Sequence, residues 1–187
     1  MNRSKNGGFT ILELLVVVVI LGILGMLAVP SYRDLMLNNR LVTATNDLLA
    51  DLALARSESS RTGKRVTLCI STNGTSCDSG STWQSGRIIF LDESTSGTTG
   101  VVDSGETVIR VTPADAQSRV TITAAGFTNS SGTATSNYIQ YRPTGALNST
   151  TTGTFTLCDD RTGSFGRTID VSATGRATLT SSTTSCP

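Results

Sequence analysis

Glu13 is the residue whose position has the strongest chemical consequence, because it borders a long run of apolar side chains. From Leu14 to Val29 the chain contains no charged residue. A carboxylate inside such a segment costs roughly 2–4 kcal/mol when the segment enters lipid. We therefore expect Glu13 to be used, and the simplest use is an ion pair with a cation that is buried beside it.

The cation can come from the chain itself if the residues before Phe9 are removed. This short leader carries Arg3 and Lys5, which would hold it on the cytoplasmic side of a membrane. An ordinary secretory signal is cut after its apolar run, whereas Gly8 lies before the run. A cut after Gly8 would keep the apolar segment and create a free amine on Phe9, four residues from Glu13.

Gly8, Phe9 and Glu13 together resemble the class III signal of type IV prepilins and pseudopilins. The resemblance implies that a prepilin peptidase cuts after Gly8 and that the new amine of Phe9 is methylated. It also implies that Glu13 pairs with the amine of a neighbouring subunit as the helix leaves the bilayer for a filament. The alternative is a plain membrane anchor that tolerates an acidic residue. A plain anchor would not explain why the leader, the glycine, the aromatic residue and the acid all occur at the spacing of this signal.

Four cysteines follow this segment: Cys69, Cys77, Cys158 and Cys186. Beyond an export anchor an even set is expected to be oxidised, and three pairings are possible. We favour the pairs Cys69–Cys77 and Cys158–Cys186, because each closes a local loop. The chain-entropy argument gives them about 2.5 and about 3.5 kcal/mol of stabilisation. A zinc site is the competing interpretation, but the chain has no Cys-x-x-Cys spacing and no histidine, so we expect no metal.

The composition argues against several functional classes. The chain has 187 residues, with 15 basic and 14 acidic side chains and no histidine. Loss of the leader would leave 13 basic residues against 14 acidic ones, so the broad basic field of a non-specific nucleic-acid binder is missing. General acid–base chemistry at neutral pH usually relies on histidine or a tuned carboxylate pair, and the serines have no candidate base. We therefore expect no enzyme activity, no catalytic residue and no cofactor.

The sequence predicts a leader over residues 1–8, followed by two helical segments over residues 9–29 and 30–62. Residues 9–29, which are apolar apart from Thr10 and Glu13, are about 31 Å long as a helix, and this length fits the core of a bilayer. Over residues 30–62 the apolar side chains recur at three- and four-residue steps, which predicts an amphipathic helix packed on a sheet. Pro30 is expected to interrupt the helix between these parts. The apolar stripe consists of Leu37, Leu41, Ala44, Leu48, Leu52 and Ala55.

Residues 63–187 are predicted to form a β-rich periplasmic or extracellular domain, because the apolar pattern changes to a period of two. No helical stretch separates the strands, so we expect antiparallel sheets. The complete prediction is an α+β, type IV pilin-like fold, in which a long N-terminal helix packs on an antiparallel β-sheet domain. The predicted strands are Arg65–Ile70, Arg87–Leu91, Glu106–Val111, Val120–Ala124, Tyr138–Arg142, Thr154–Cys158, Arg167–Ser172 and Arg176–Leu179.

Further patches of sequence resemble the GspH/FimT family of minor pilins and pseudopilins, including its FimU-like members. The resemblance implies a β-sheet domain on the long helix and a place at or near the tip of a filament. The matching stretches are Asn46–Leu48, Leu54–Glu58, Val66–Cys69, Trp83–Gly86, Ile88–Asp92, Phe155–Cys158 and Val171–Arg176.

The resemblance favours a structural minor pilin that primes assembly of a type IV pilus. Its implied partners are the major pilin and other minor pilins, the prepilin peptidase, the inner-membrane assembly platform and, before assembly, membrane lipid. The implied location is a single-pass anchor in the inner membrane with a periplasmic domain, and later the filament tip. A pseudopilin of a type II secretion system is equally compatible with the sequence, because nothing in the chain separates the two machines.

A DNA-binding minor pilin for natural transformation is the other alternative. That branch of the family carries a Gly-Arg-x-Arg motif, and here Gly175 and Arg176 match its start while Thr178 replaces the second arginine. Arg161 and Arg167 are near in sequence and would give, with Arg176, a small phosphate-binding patch. The missing arginine and the nearly neutral domain favour the structural role, so DNA is a possible partner that we do not favour.

Overall fold

The computed structural model describes residues 8–80, 82–93, 98–115, 119–149 and 151–187, with only the backbone at 27–31. Residues 1–7, which include Arg3 and Lys5 of the predicted leader, lie outside the described residues. The chain divides into two compact units, Met1–Asn39 and Arg40–Pro187.

One long helix, α1, runs over Ile11–Thr62. It ends close to the predicted Arg61, and the residue that follows Thr62 is a glycine in the left-handed conformation. Gly63 has φ of 66°, and its N–H donates to the carbonyl of Ser59 at 3.1 Å. This is a common way to end a helix, because glycine adopts positive φ without a steric penalty.

The interruption predicted at Pro30 is wrong, because the helical backbone continues from Ile11 through Pro30 to Thr62. Proline removes one backbone donor and crowds the preceding turn. The turns on both sides still form their own hydrogen bonds, so the helix continues past the proline.

Eight strands follow the helix and pair into two four-stranded antiparallel sheets. The orders are β3-β2-β1-β5 in the first sheet and β4-β6-β7-β8 in the second. A short 3₁₀ turn, Trp83–Ser85, precedes β2. The strands are β1 Val66–Ile70, β2 Gly86–Leu91, β3 Val108–Pro113, β4 Thr121–Ala125, β5 Tyr138–Tyr141, β6 Gly153–Cys158, β7 Gly163–Val171 and β8 Ala177–Cys186.

The second half of α1 and both sheets share one hydrophobic core within Arg40–Pro187. The predicted stripe is confirmed there, since Leu41, Leu48, Leu52 and Ala55 are buried in it. The sheets contribute the side chains Val66, Leu68, Ile139, Tyr141, Phe155, Leu157, Ile169 and Val171. The packing of an antiparallel β-domain on a helix is therefore as predicted.

A buried ion pair fastens the helix to the first sheet. The carboxylate of Asp51 is fully buried on α1 and accepts from Nε of Arg87 at 2.5 Å. Nε of Arg110 lies 3.1 Å from the other carboxylate oxygen, and the hydroxyl of Thr112 donates at 3.2 Å. The negative charge of Asp51 is thus paired with cations on β2 and β3, which is the condition under which a buried charge is tolerated.

Two predicted strands are too short. The last one was expected to end at Leu179, but β8 continues to Cys186. The strand before it begins at Gly163 rather than Arg167. Apart from Phe165 and Cys186, the extra residues are serine, threonine and glycine, which give no alternation of apolar and polar positions. Their strand conformation comes from the pairing of β7 with β8, which is a tertiary effect.

Both favoured cysteine pairs occur in the structure. Cys69 is bonded to Cys77, and Cys158 is bonded to Cys186. The first pair lies beside a second, smaller cluster of apolar side chains that includes Ile88 and Phe90. The second pair fixes the end of β8 to the end of β6.

Candidate assembly site and interaction surfaces

The N-terminal site predicted from the sequence lies at the start of α1. Gly8, Phe9 and Glu13 are all exposed, and Phe9 retains 78% of its accessible surface. The apolar side chains after them are exposed on every face of the helix, as far as Met26. An apolar helix surface of this kind normally has a partner, either lipid or another helix.

Thr10 caps the helix start at this site, and the sequence reasoning missed it. It directly precedes the helix, and its side-chain oxygen accepts a hydrogen bond from the backbone N–H of Glu13 at 3.2 Å. This is an N-cap contact, which satisfies one of the free N–H groups at a helix start. The signal was available in the sequence, because Thr10 and Glu13 have the Thr-x-x-Glu spacing of a capping box.

Glu13 therefore has a local environment that suits a negative charge even without a partner. It lies in the first turn of α1, where the partial positive charge of the helix start favours carboxylates. Its side chain makes no ion pair or hydrogen bond within the described part of the chain. No described residue therefore occupies either carboxylate oxygen of Glu13.

Among the described residues, no helix combines the length and the apolar character that crossing a membrane requires.

The three arginines proposed as a DNA-binding patch are not brought together. Arg161 precedes β7, whereas Arg176 follows it, and the strand between them spans about 26 Å. Arg167 lies opposite Leu157, which is fully buried, so its side chain leaves the same face of the sheet as the core residues. The length and the pleat of β7 therefore separate charges that are close in sequence.

Arg161 forms a local ion pair with Asp159. Its guanidinium lies 2.6 Å from the carboxylate of Asp159 and 4.2 Å from the ring centre of Phe165. Burial alone would raise the pKa of the Asp159 carboxyl, but the hydrogen bonds and charge of Arg161 outweigh it and hold this pKa below its ordinary value. A guanidinium occupied in this way has little capacity left for a phosphate group.

Arg176 lines an open groove of about 400 Å³ on the outer face of the second sheet. Asp170 lies in the same groove, and the remaining side chains are mostly threonines, including Thr154 and Thr178. Thr154, Asp170 and Thr178 are direct neighbours across β6, β7 and β8. One carboxylate beside one guanidinium gives the groove no net positive charge, which is unfavourable for a polyanion.

The structure explains why a glycine stands at position 175, at the start of the partial Gly-Arg-x-Arg motif. Gly175 has φ of 80°, and a Cβ there would overlap the carbonyl oxygen of Gly145. The same oxygen accepts a hydrogen bond from Nε of Arg56 at 3.2 Å. Gly175 thus allows the β7–β8 turn to pack on the turn after β5, at the end of α1.

Comparison with known families decides the classification. The family model described as Type II transport protein GspH matches residues 44–175, which is more than half of the chain. The chain belongs to the GspH family. The resemblance found in the sequence is therefore confirmed. A second model, described as the prokaryotic N-terminal methylation motif, matches residues 3–29 of this GspH-family protein. That motif implies membrane-anchored assembly with other pilins after processing by the prepilin peptidase.

Two crystal structures of the type IV minor pilin FimU from Pseudomonas aeruginosa (strain PAO1) are similar to the GspH-family protein. One, in space group P21, has a TM-score of 0.57 at 22% identity and covers 79% of this chain and 93% of that chain. The other, in space group P65, has a TM-score of 0.54 at 22% identity and covers 78% and 97%. At this identity the similarity shows the fold, and it confirms the predicted pilin-like architecture. Comparison with curated protein sequences gave no match.

Proposed function

We propose that this GspH-family protein is a minor pilin that primes assembly of a type IV pilus and lies at or near its tip. The single observation that carries the proposal is the methylation motif over residues 3–29, which contains Gly8, Phe9 and Glu13 in the expected register. The pilin-like fold supports it, because a long helix with an exposed apolar start suits a filament subunit.

Gly8 supports processing at this position because the fold gives no other reason for a glycine. A Cβ added at Gly8 meets no atom within 4 Å, and the residue does not have a positive φ. The requirement for glycine would then come from a peptidase that binds the extended leader. The proposed products are the eight-residue leader and a chain that begins with N-methylated Phe9.

Glu13 supports assembly through an ion pair between subunits. Its carboxylate has no described partner, and the apolar helix surface around it must be covered by lipid or protein in the cell. The amine of Phe9 on a neighbouring subunit would neutralise Glu13 in that apolar environment, where neither charge is stable alone. Glu13 would thus favour the packed filament over the separate subunit.

The proposed location follows from the same features. Residues 9–29 would anchor the protein in the inner membrane before assembly, with residues 63–187 in the periplasm. Two disulfides suit that oxidising compartment. The partners would be the assembly platform, the major pilin and other minor pilins. The role is structural, as in the family of pilins to which the chain belongs, and involves no catalysis by this chain.

Processing is tested by the mass of the mature N-terminal peptide from the native protein. We expect the peptide to begin at Phe9 and to carry one methyl group on its amine. A Gly8→Leu variant should keep its leader, while Gly22→Leu, a matched change inside the apolar run, should be processed normally. Recovery of the native chain with its leader intact would overturn the proposal.

Assembly is tested by replacing Glu13 in cells that make pili. Glu13→Ala should abolish or strongly reduce surface pili when the variant is the only copy, whereas Glu13→Asp should retain part of the activity because the charge remains. Asp34→Ala, which removes a carboxylate from an exposed position on the same helix, is the control. Normal piliation with Glu13→Ala would contradict the role of Glu13.

A pseudopilin of a type II secretion system is the second candidate, because the family description names type II transport. A deletion strain separates the two roles. Loss of surface pili with normal secretion of exoproteins would support the pilus, and the reverse result would support the secretion system. Retention of DNA by the purified full-length protein at low salt, lost in Arg176→Ala, would instead support DNA binding.

A further inference from the structure

The loop that the Cys69–Cys77 disulfide closes contains an Asn-Gly pair, Asn73 and Gly74, which is the only one outside the predicted leader. In such a pair the backbone nitrogen of the glycine can attack the side-chain amide carbon of the asparagine, because the attack closes a five-membered ring within one chain. Glycine has no Cβ to hinder this approach. Asn73 is exposed, so water reaches it. The pair therefore has the chemistry of a deamidation site.

Three hydrogen-bond donors converge on the side-chain carbonyl oxygen of Asn73. The backbone N–H groups of Thr75 and Ser76 each donate to Oδ1 at 2.9 Å. The hydroxyl of Ser71 donates to the same oxygen at 3.3 Å. Negative charge develops on this oxygen when the amide carbon is attacked. Donors that are already in place around a developing oxyanion lower the barrier to such a reaction.

The hydroxyl of Ser71 also contacts the attacking group. The N–H of Gly74 donates to Oγ of Ser71 at 3.0 Å, while this hydroxyl donates to Oδ1 of Asn73. One hydroxyl thus accepts from the nucleophile and donates to the carbonyl that is attacked, which is the arrangement of a proton relay. Ser71 is only 3% exposed, and its N–H donates to the carbonyl of Gly86 at 3.0 Å, so the relay is held in place.

The contacts of Asn73 also suit the product of deamidation, which is a carboxylate. The N–H groups of Thr75 and Ser76 would then donate to an ionised acceptor, and such hydrogen bonds are stronger than those to a neutral amide. Nδ2 of Asn73 now donates to Oγ of Ser76 at 2.7 Å. After the reaction the same hydroxyl would donate to the new carboxylate oxygen. The loop therefore accommodates the product without losing a hydrogen bond.

Asn129 provides a comparison within the same chain. Its Oδ1 also accepts from two backbone N–H groups, those of Ser131 at 3.0 Å and Thr133 at 2.9 Å. The residue that follows it is Ser130 rather than glycine. Asn129 thus has a similar pair of donors on its carbonyl oxygen but a hindered nucleophile, and we expect it to react slowly.

We propose that Asn73 undergoes spontaneous deamidation and that the folded Cys69–Cys77 loop accelerates it. The nitrogen of Gly74 bonds to Cγ of Asn73 and gives its proton to Oγ of Ser71, which passes its own proton to Oδ1. This proton moves to Nδ2 as the Cγ–Nδ2 bond breaks, and ammonia leaves. Water then opens the cyclic imide to aspartate or isoaspartate. One water is consumed, one ammonia is released, and the chain gains one negative charge.

The test follows the mass of the loop peptide from oxidised, full-length protein that is kept in detergent at neutral pH. The amide of Asn73 should become an acid about tenfold faster in the native protein than in the same chain reduced and unfolded in urea. The reason is that only the native loop holds three donors on Oδ1. Asn129 should remain largely an amide. An equal or faster reaction of Asn73 in urea would overturn the proposal.

The relay is tested by Ser71→Ala, which should slow the native reaction about tenfold. Thr72→Val removes a hydroxyl from the adjacent, exposed position of the same loop and should leave the rate unchanged. Thiol labelling shows whether the Cys69–Cys77 disulfide is intact in each variant. An intact Ser71→Ala chain that reacts as fast as wild type would overturn the relay. If that variant loses the disulfide, the comparison of native with unfolded wild type still decides.

Discussion

Glu13 and Asp51 are carboxylates on the same helix, but their surroundings are opposite in burial and in charge pairing. Asp51 is buried, and two arginines of its own chain surround it. Glu13 is exposed among apolar side chains and has only the helix start in its favour. Asp159 is intermediate, with one arginine two residues away. The comparison indicates that the charge of Asp51 serves the fold of this chain, and it supports the proposal that the charge of Glu13 serves a contact beyond it.

The largest effect on stability is expected from Asp51→Ala. It removes the partner of Arg87, which is itself buried, and an uncompensated buried charge typically costs about 3–5 kcal/mol. The measurement is urea unfolding of the full-length protein in detergent, followed by the fluorescence of Trp83. Asp47→Ala, an exposed carboxylate one turn earlier, should change the unfolding free energy by less than about 0.5 kcal/mol. Equal effects of the two variants would contradict the comparison.

A smaller and pH-dependent effect is expected from Asp159→Asn, which should lose about 1–3 kcal/mol at neutral pH. Because the folded pKa of Asp159 is lowered, its contribution is fully present above the unfolded pKa of about 3.9 and is lost as the pH falls through the folded value. The unfolding free energies of wild type and variant should therefore begin to converge below about pH 4 and become equal only below the folded pKa of Asp159. Asp160→Asn, whose Arg119 partner is exposed, is the control and should change little. A gap that persists unchanged into strong acid would rule out the charge as the cause.

A local effect is expected from Thr10→Ala, which removes the N-cap of α1. Loss of such a cap typically costs about 1 kcal/mol, so exchange of the Glu13 amide should accelerate about fivefold. Hydrogen–deuterium exchange of the detergent-solubilised protein measures this directly. Thr10→Ser keeps the accepting oxygen and should restore protection. Unchanged exchange in Thr10→Ala would mean that the contact does not stabilise the helix start.

The smallest effect on the domain is expected from Glu13→Gln. The unfolding free energy of the β-domain should stay within about 0.3 kcal/mol of wild type, because no described residue pairs with Glu13. The measurement is the same fluorescence titration as for Asp51→Ala. A domain destabilised as strongly as in Asp51→Ala would show that Glu13 supports the fold, and the contrast between the two carboxylates would fail.

Local signals made much of the fold predictable. The stripe from Leu41 to Ala55 has the helical period, and six of the eight predicted strands begin and end close to their observed limits. The ends of β7 and β8 were not predictable, since serine and threonine give no alternation. The predicted interruption at Pro30 was wrong, because the low helix propensity of one proline does not break a helix whose neighbouring turns are intact.

The candidate site was predictable only where its residues are close in sequence. Gly8, Phe9 and Glu13 form a local pattern, and Thr10 belongs to the same pattern although it was missed. The pairing of Asp51 with Arg87 and Arg110 depends on which strands face the helix, and no local signal carries that information. The separation of Arg161, Arg167 and Arg176 likewise depends on the length and pleat of β7.

The contact of Gly175 with the carbonyl of Gly145 has a mechanical consequence. Nε of Arg56 on the helix donates to the same carbonyl, so this oxygen joins the helix to the β7–β8 turn, in addition to the shared core and the hydrogen bond from the N–H of Leu147 to the carbonyl of Ala173. Any larger residue at position 175 would push the two turns apart and weaken this one attachment. The second sheet would then lose one of its attachments to the helix even where the chain still folds.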